Sequence, residues 1–475
     1  MSDELIYLTA TEALARFADK SLSPVELMEA QIARAEAVNE AHTAFTYTHY
    51  DEALDLARAA EARWAKGEPQ GALDGLAVAI KDESQIEGKP TSNGSLIMKD
   101  YVADHTSVMN ERILGEGGIV HARTATPEFS VAGYTWSRLW GVTRNPWNRE
   151  FTTGGSSGGS GAALALGMTT LATGSDIGGS IRIPASCCGV VGFKPPYGRN
   201  PDDPPFNYDF YCHTGPMARS VSDAILLQNI MSGPDPRDIS TIWPKLVLPT
   251  EYPDIRGWKI ALSYDLGFAT VSEEVRRNTA AAADVFRALG ATVEEVDLGW
   301  GQEVPEACIA YLTHLFGGAI SEVLDEHADD MTTYCRSFAE NSLSSTAKDF
   351  VKALEVAGRS YPALGKVLED YDVLICPTTA IPAVRADFDS SRETLQIEGV
   401  EVRPDLGWLL TTPFNMHSRC PVLNLPSGFG ANGVPTGIQI VGPTYRDATV
   451  FQAGMAYEAA LGGLYTTPEK RPVPG

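Results

Sequence analysis

Residues 152–184 read TTGGSSGGSGAALALGMTTLATGSDIGGSIRIP and constrain the chain more than any other stretch. Two glycine–serine clusters, 154–159 and 174–180, flank a run of small apolar residues from Ala162 to Ala172. Glycine opens backbone conformations closed to other residues and lets amides approach a ligand closely. A hydroxyl beside a group of free N–H donors is what nucleophilic attack at a carbonyl requires. A flexible Gly/Ser linker would be solvated throughout. Here the spacer is apolar, and Asp176, Arg182 and Pro184 stand at fixed places around the second cluster. The spacer predicts a buried helix between two functional turns.

The surrounding sequence alternates strand and helix signals. Residues 5–65 read as largely helical, with Thr9 and Ser23 as N-caps, Pro24 in a first turn and Glu26 in its acidic start. Leu76–Ile80 is a short apolar run of the kind that forms a buried strand, and it ends in Lys81-Asp82-Glu83. A lysine there is unusual, because burying an ammonium is costly. Further strands are expected at 189–194, 258–263, 291–296, 372–377, 421–428 and 437–442, with helices at 273–289, 305–370 and 447–461. The expected fold is an α/β single large domain: a central mixed, mostly buried β-sheet flanked by helices. Loop-borne aromatics at 128–148 and 199–216 include Tyr134, Trp136, Phe206, Tyr208 and Phe210, which predict a substrate pocket wall beside the glycine-rich centre.

A net charge of −24 without a Lys/Arg cluster argues against nucleic acid as a partner. Seven cysteines, with no CxxC pair and no ligand spacing with histidine, read as reduced thiols of a cytoplasmic protein and exclude a metal site. Met1-Ser2-Asp3-Glu4 leads into no apolar segment, so neither a signal peptide nor a membrane span is expected. There is no Walker A sequence, HExxH or dinucleotide fingerprint, so no cofactor is expected. The expected partner is a small molecule, and the expected state is a monomer or homodimer.

Two catalytic bases remain open from the residues alone. Gly154-Gly155-Ser156-Ser157-Gly158 satisfies GxSxG, which would make Ser156 a nucleophile served by His213, His314, His327 or His417. The alternative base is a lysine made neutral by burial, and Lys81 is the one lysine whose context suggests it.

The chain resembles the amidase signature family of serine hydrolases. The likeness lies in the 76–82 strand, GGSSGGSGAA at 154–163, GSDIGGSIRIPASCCGVVGFKP at 174–195, GPMARSVSDA at 215–224, and PVLNLPSGF with GVPTGIQIVGP at 421–443. The resemblance implies Ser180 as acyl-accepting nucleophile, Ser156 as bridging serine on a cis peptide bond to Gly155, and Lys81 as base. It implies an oxyanion hole at the amides of Ile177, Gly178, Gly179 and Ser180, with Ser157, Asp176 and Arg182 in support. Ala125 stands where many relatives carry Asn facing the substrate, which implies a lost polar contact in the pocket. The implied organisation is an N-terminal helical segment (1–70), a signature core (71–230), a region shaping the pocket (231–410) and a C-terminal completion of the core (411–475). The implied activity is hydrolysis of small to medium non-peptide amides, including anilides, with carbamates (urethanes), esters and cyclic amides as variants. A glutamyl-tRNA amidotransferase A-type subunit is the alternative the same likeness allows.

Overall fold

A computed structural model describes residues 3–473. Its spine is an 11-stranded sheet. In chain order the strands are β1 (Phe45–Thr48), β2 (Val78–Lys81), β3 (Ala122–Thr124), β4 (Leu171–Ser175), β5 (Val191–Lys194), β6 (Thr214–Ala218), β7 (Lys259–Leu262), β8 (Thr292–Glu295), β9 (Val373–Pro377), β10 (Val422–Phe429) and β11 (Pro435–Val441). Across the sheet they run β1-β3-β2-β4-β6-β5-β10-β11-β9-β7-β8. Pairing is mixed: β2 is parallel to both β3 and β4, whereas β4–β6, β5–β6, β5–β10 and β10–β11 are antiparallel. Every residue of β2, β5, β9 and β11 is buried, which explains why these strands read as near-continuous apolar runs.

The first two predicted caps form as the chemistry dictates. Thr9 with Glu12 and Ser23 with Glu26 each close a capping box, and Pro24 occupies the first turn of the helix Pro24–His42. The helical reading of 5–65 omitted β1, a short edge strand that pairs antiparallel with β3.

The spacer of the glycine-rich stretch departs from the predicted single helix. A helix covers only Gly158–Ala165, and Leu171–Ser175 is a central strand. Gly167 takes the left-handed conformation, with φ at 73°, which ends the helix, and Thr169-Thr170 lead the chain into the sheet. Every residue from 158 to 174 is buried, so the small residues carry no amphipathic period that could tell helix from strand.

This break builds the site. Val78 and Ala79 pair in parallel register with Leu171 and Ala172, so β2 and β4 finish at the same sheet edge. Lys81 ends one and Ser175 ends the other. The helix Gly158–Ala165 presents its N-terminal turn, and with it Ser156, to that edge.

Candidate active site

Lys81 is 1% exposed, and its Nζ donates to Ser156 Oγ at 2.6 Å and to Ser175 Oγ at 2.8 Å. Burial pushes the Lys81 pKa down, and the Glu83 carboxylate 3.0 Å away acts against that shift. Glu83 is itself held below its usual range: burial would raise it, but Lys81 and the hydroxyls of Ser130 and Ser175 outweigh the burial. The Gly155–Ser156 peptide bond is cis, as the resemblance implied. Ser157 joins the two clusters, its N–H donating to the Ser180 carbonyl at 3.2 Å.

The turn after β4 is tied to one carboxylate. Asp176 accepts the Gly179 N–H at 2.8 Å, the Ile181 N–H at 3.2 Å, and Nε and Nη2 of Arg182 at 2.9 Å each. Both partners of this pair are completely buried, and Asn415 Nδ2 donates to the same carboxylate at 2.8 Å. Burial alone would raise the Asp176 pKa, but Arg182 and Asn415 hold it far below the carboxylate range. Arg182 also reaches Gln439 Oε1 at 2.6 Å and the Thr411 carbonyl at 2.9 Å, pinning the turn to β11 and to the 411–416 segment. The Thr411 hydroxyl donates to the Gly178 carbonyl at 2.6 Å.

Among the described residues, the backbone N–H groups of Ile177, Gly178 and Ser180 have no hydrogen-bond partner. The Gly179 amide, expected beside them, faces the other way onto Asp176. The Ser180 hydroxyl is likewise without a protein partner among the described residues, and Ser180 is 6% exposed. None of His213, His314, His327 and His417 bonds to Ser156 or Ser180. They engage instead the carbonyls of Asp176 and Ser418, Ser345 Oγ, Asp330 Oδ2 and Ser360 Oγ respectively. The histidine-served elbow considered from GxSxG is therefore absent from the described residues.

Two cavities meet here. One of about 100 Å³ is lined by Ser180, Gly178, Tyr134, Ile183, Leu312 and Phe338. The other, of about 300 Å³, is lined by Ser156, Ser175, Glu83, Met109, Phe129 and Phe206. Ser130, Ile177 and Phe316 border both.

Of the aromatics predicted as pocket wall, Tyr134 and Phe206 take that position and the others do not. Trp136 donates from Nε1 to the Phe388 carbonyl at 2.8 Å and stacks edge-on with Tyr334, so it braces the wall from behind. Phe210 packs on Tyr211 and Tyr311. Tyr208 is 71% exposed and points to solvent. Ala125 lines neither cavity: its N–H donates to the Ala44 carbonyl and its carbonyl accepts from Gly159, packing it against the helix Gly158–Ala165. Ala125 therefore takes no place in the walls of these two cavities, which corrects its expected position in the pocket.

Sequence reasoning missed Ser175, Glu83, Thr411 and Asn415, and it missed Leu312, Phe316 and Phe338 of the 303–342 helical region. Glu83 stood next but one to the singled-out lysine, and its nearness to Lys81 was the available signal. The wall residues from 303–342 had none, because nothing in their spacing ties them to a loop over a hundred residues upstream.

The fold and the site together define a hydrolase of carbon–nitrogen bonds other than peptide bonds. The chain belongs to the amidase family, whose model matches residues 26–451. It is 35% identical to an acylamidase of Rhodococcus erythropolis over 467 residues, covering 96% of each chain. It is 32% identical to the A-type subunit of the glutamyl-tRNA(Gln) amidotransferase of Thermobifida fusca (strain YX), again over 96% of each. Among solved structures it is similar to a bacterial aryl acylamidase of the amidase signature enzymes, with TM-score 0.88, 31% identity and 96% of each chain covered. No helix among the described residues is long and apolar enough to cross a membrane.

Proposed function

We propose that this protein hydrolyses aryl amides of small carboxylic acids through an acyl-enzyme on Ser180. The observation that carries the reading is the buried Lys81 Nζ, 2.6 Å from Ser156 Oγ at the mouth of the cavity system that Ser180 lines. Neutral Lys81 takes a proton from Ser156, Ser156 takes one from Ser180, and the Ser180 oxygen attacks the carbonyl carbon. The developing oxyanion is received by the amides of Ile177, Gly178 and Ser180; a single donor of this kind is worth about 2.7–4 kcal/mol in transition-state stabilisation elsewhere. Ser156 then passes its proton to the leaving nitrogen, which departs poorly as an anion, and takes the proton back from Lys81, which is neutral again for the second half-reaction. Water repeats the sequence and frees the acid.

Because the leaving nitrogen must face Ser156, the amine occupies the larger cavity and the acyl group the smaller one. Phe129, Phe206 and Phe316 line the larger cavity, and the rings of Phe206 and Phe316 meet edge to face at 5.8 Å, which suits an aromatic amine. The likeness to an acylamidase and to an aryl acylamidase supports the same substrate class. A matched ester would form the same acyl-enzyme, and a carbamate would form an alkoxycarbonyl- or carbamoyl-serine on the same residue.

Quenching the enzyme during turnover of an acetanilide and mapping its peptides by mass spectrometry tests the reading. An acetyl group on Ser180, lost in Ser180→Ala together with aniline release, is expected; a Ser180→Ala protein that turns over at the wild-type rate would sink it. A second reading, the glutamine-cleaving subunit of an amidotransferase, is supported by the 32% identical relative. It predicts ammonia release from glutamine and dependence on partner chains, so full anilide turnover by the lone chain speaks against it.

A further inference from the structure

Lys194 and His213 form a buried pair that the acyl-transfer chemistry leaves unused. They are 0% and 4% exposed, at the end of β5 and just before β6, and neither lines the two cavities that share Ile177. His213 Nδ1 lies 3.1 Å from the Asp176 carbonyl, and Nε2 lies 3.2 Å from the Ser418 carbonyl and 3.5 Å from Lys194 Nζ. Lys194 Nζ also donates to the carbonyls of Ser418 at 3.3 Å and Pro195 at 3.2 Å.

Burial, together with the neighbouring lysine, holds the His213 pKa down at about 3, so the imidazole is neutral and owns one N–H. Burial lowers the Lys194 pKa to about 7, but its amine carries N–H donors whether charged or neutral and can supply both Nε2 and the Ser418 carbonyl. With Nε2 served in this way, the imidazole proton is free to sit on Nδ1, 3.1 Å from the Asp176 carbonyl that accepts it. Asn415 Nδ2 donates to the same Asp176 carbonyl at 2.8 Å.

That carbonyl belongs to the peptide whose other end is the Ile177 N–H. The bond is trans, so carbonyl and N–H point in opposite directions across one rigid plane. Holding the carbonyl toward His213 turns the amide toward the cavities, and Ile177 borders both of them. We propose that His213, its tautomer set by Lys194, is a positioning residue that aims the Ile177 amide at the oxyanion formed on Ser180. The proposal rests on the reading of Ser180 as nucleophile.

The test compares His213→Leu, His213→Asn and Lys194→Met with wild type on one anilide. It also measures binding of a trifluoromethyl ketone analogue, which adds to a serine hydroxyl as a tetrahedral oxyanion, and of the free acid product, which forms none. In His213→Leu, kcat is expected to fall about tenfold or more, short of the 10²–10³ seen when a donor is removed outright. KM and acid binding stay within about twofold, and ketone affinity falls in step with kcat. Asn places Nδ2 where the imidazole Nδ1 stood, so His213→Asn recovers most of the loss. Lys194→Met, free to adopt the other tautomer, loses activity in the same direction. The inference is overturned if His213→Leu keeps kcat and ketone affinity within twofold, or if folded His213→Asn is as impaired as His213→Leu. A wild-type enzyme that gives no ketone adduct on Ser180 overturns the parent reading and this one together; an adduct undiminished in His213→Leu overturns this one alone.

Discussion

Lys81 and Glu83 meet as an ion pair of 3.0 Å, although the role proposed for the lysine is that of a neutral base. The two influences on Lys81 oppose each other: burial drives the ammonium toward its neutral form, and the carboxylate holds it charged. Glu83→Gln removes only the second. The Lys81 pKa then falls further, more of the amine is neutral at any given pH, and the acid limb of the kcat profile moves to lower pH. A pH–rate series on both proteins decides the matter. An acid limb that stays in place or moves to higher pH contradicts the assignment of Lys81 as base.

Ser156 carries two duties that substrates value differently. In the proposed mechanism it mediates deprotonation of Ser180 for every substrate, but donates a proton to the leaving atom only where that atom needs one. An anilide nitrogen needs it and a nitrophenolate oxygen does not. Ser156→Ala is therefore expected to slow both, with the anilide losing about tenfold or more beyond the loss on a matched aryl ester, within the range that positioned proton transfer supplies. Parallel initial-rate measurements give the ratio, and an unchanged amide-to-ester ratio would remove Ser156 from the leaving-group step.

Asp176 is expected to govern stability as well as catalysis. Its carboxylate neutralises the completely buried Arg182 and accepts the N–H of Gly179. Asp176→Ala strands a buried guanidinium, a loss of about 3–5 kcal/mol where one partner of a buried pair is removed. Urea denaturation at neutral pH should show it. The pH dependence has a definite sign: the folded-state pKa is depressed, so the contribution is fully present above the unfolded value of about 3.9 and is lost as pH falls below it. Wild type should weaken more steeply in that acid window than Asp176→Ala, which keeps only the acid sensitivity of other depressed carboxylates such as Glu83, so the two denaturation midpoints converge on acidification.

How much of this could be read beforehand follows from what each residue is constrained by. Lys81 and Ser156 stood out as candidates because a lysine ending an apolar strand and a serine in a GxSxG turn are local facts, whereas the roles of Ser180 and Asp176 came only from the family resemblance. The helix-to-strand change between Ala165 and Leu171 was not, because a segment enclosed on all sides has no polar face to set its period. Phe206 and Phe210 illustrate the other blind spot. They lie four residues apart in the same irregular loop, yet one lines the cavity and the other packs on Tyr211 and Tyr311, and no periodicity assigns directions in such a loop. The N–H of Gly179 was misassigned because its direction is set by Asp176 and by Thr411, whose hydroxyl holds the preceding carbonyl.

Gly178 and Gly179, adjacent in the same turn, should respond oppositely to the same substitution. Gly179 has φ +127, a conformation L side chains rarely adopt, and a Cβ there would run into the Thr411 hydroxyl and Cβ. Backbone strain of about 1–3 kcal/mol is then joined by a collision with the side chain that orients the Gly178 carbonyl. Gly179→Ala is expected to lower the melting temperature and to reduce kcat strongly, since the Ile177, Gly178 and Ser180 amides lose their common alignment. At Gly178 a Cβ would find Leu312 and Thr412 at 3.7 Å, an ordinary contact, and φ is not in the left-handed region. Gly178→Ala should therefore fold with a melting temperature near wild type, and its added methyl narrows the smaller cavity that Gly178 lines. Anilides with longer acyl chains should lose more than acetanilide. Thermal melts on both variants and an acyl-length series on Gly178→Ala test the pair; equal destabilisation of the two would mean that Thr411 does not set the geometry of this turn.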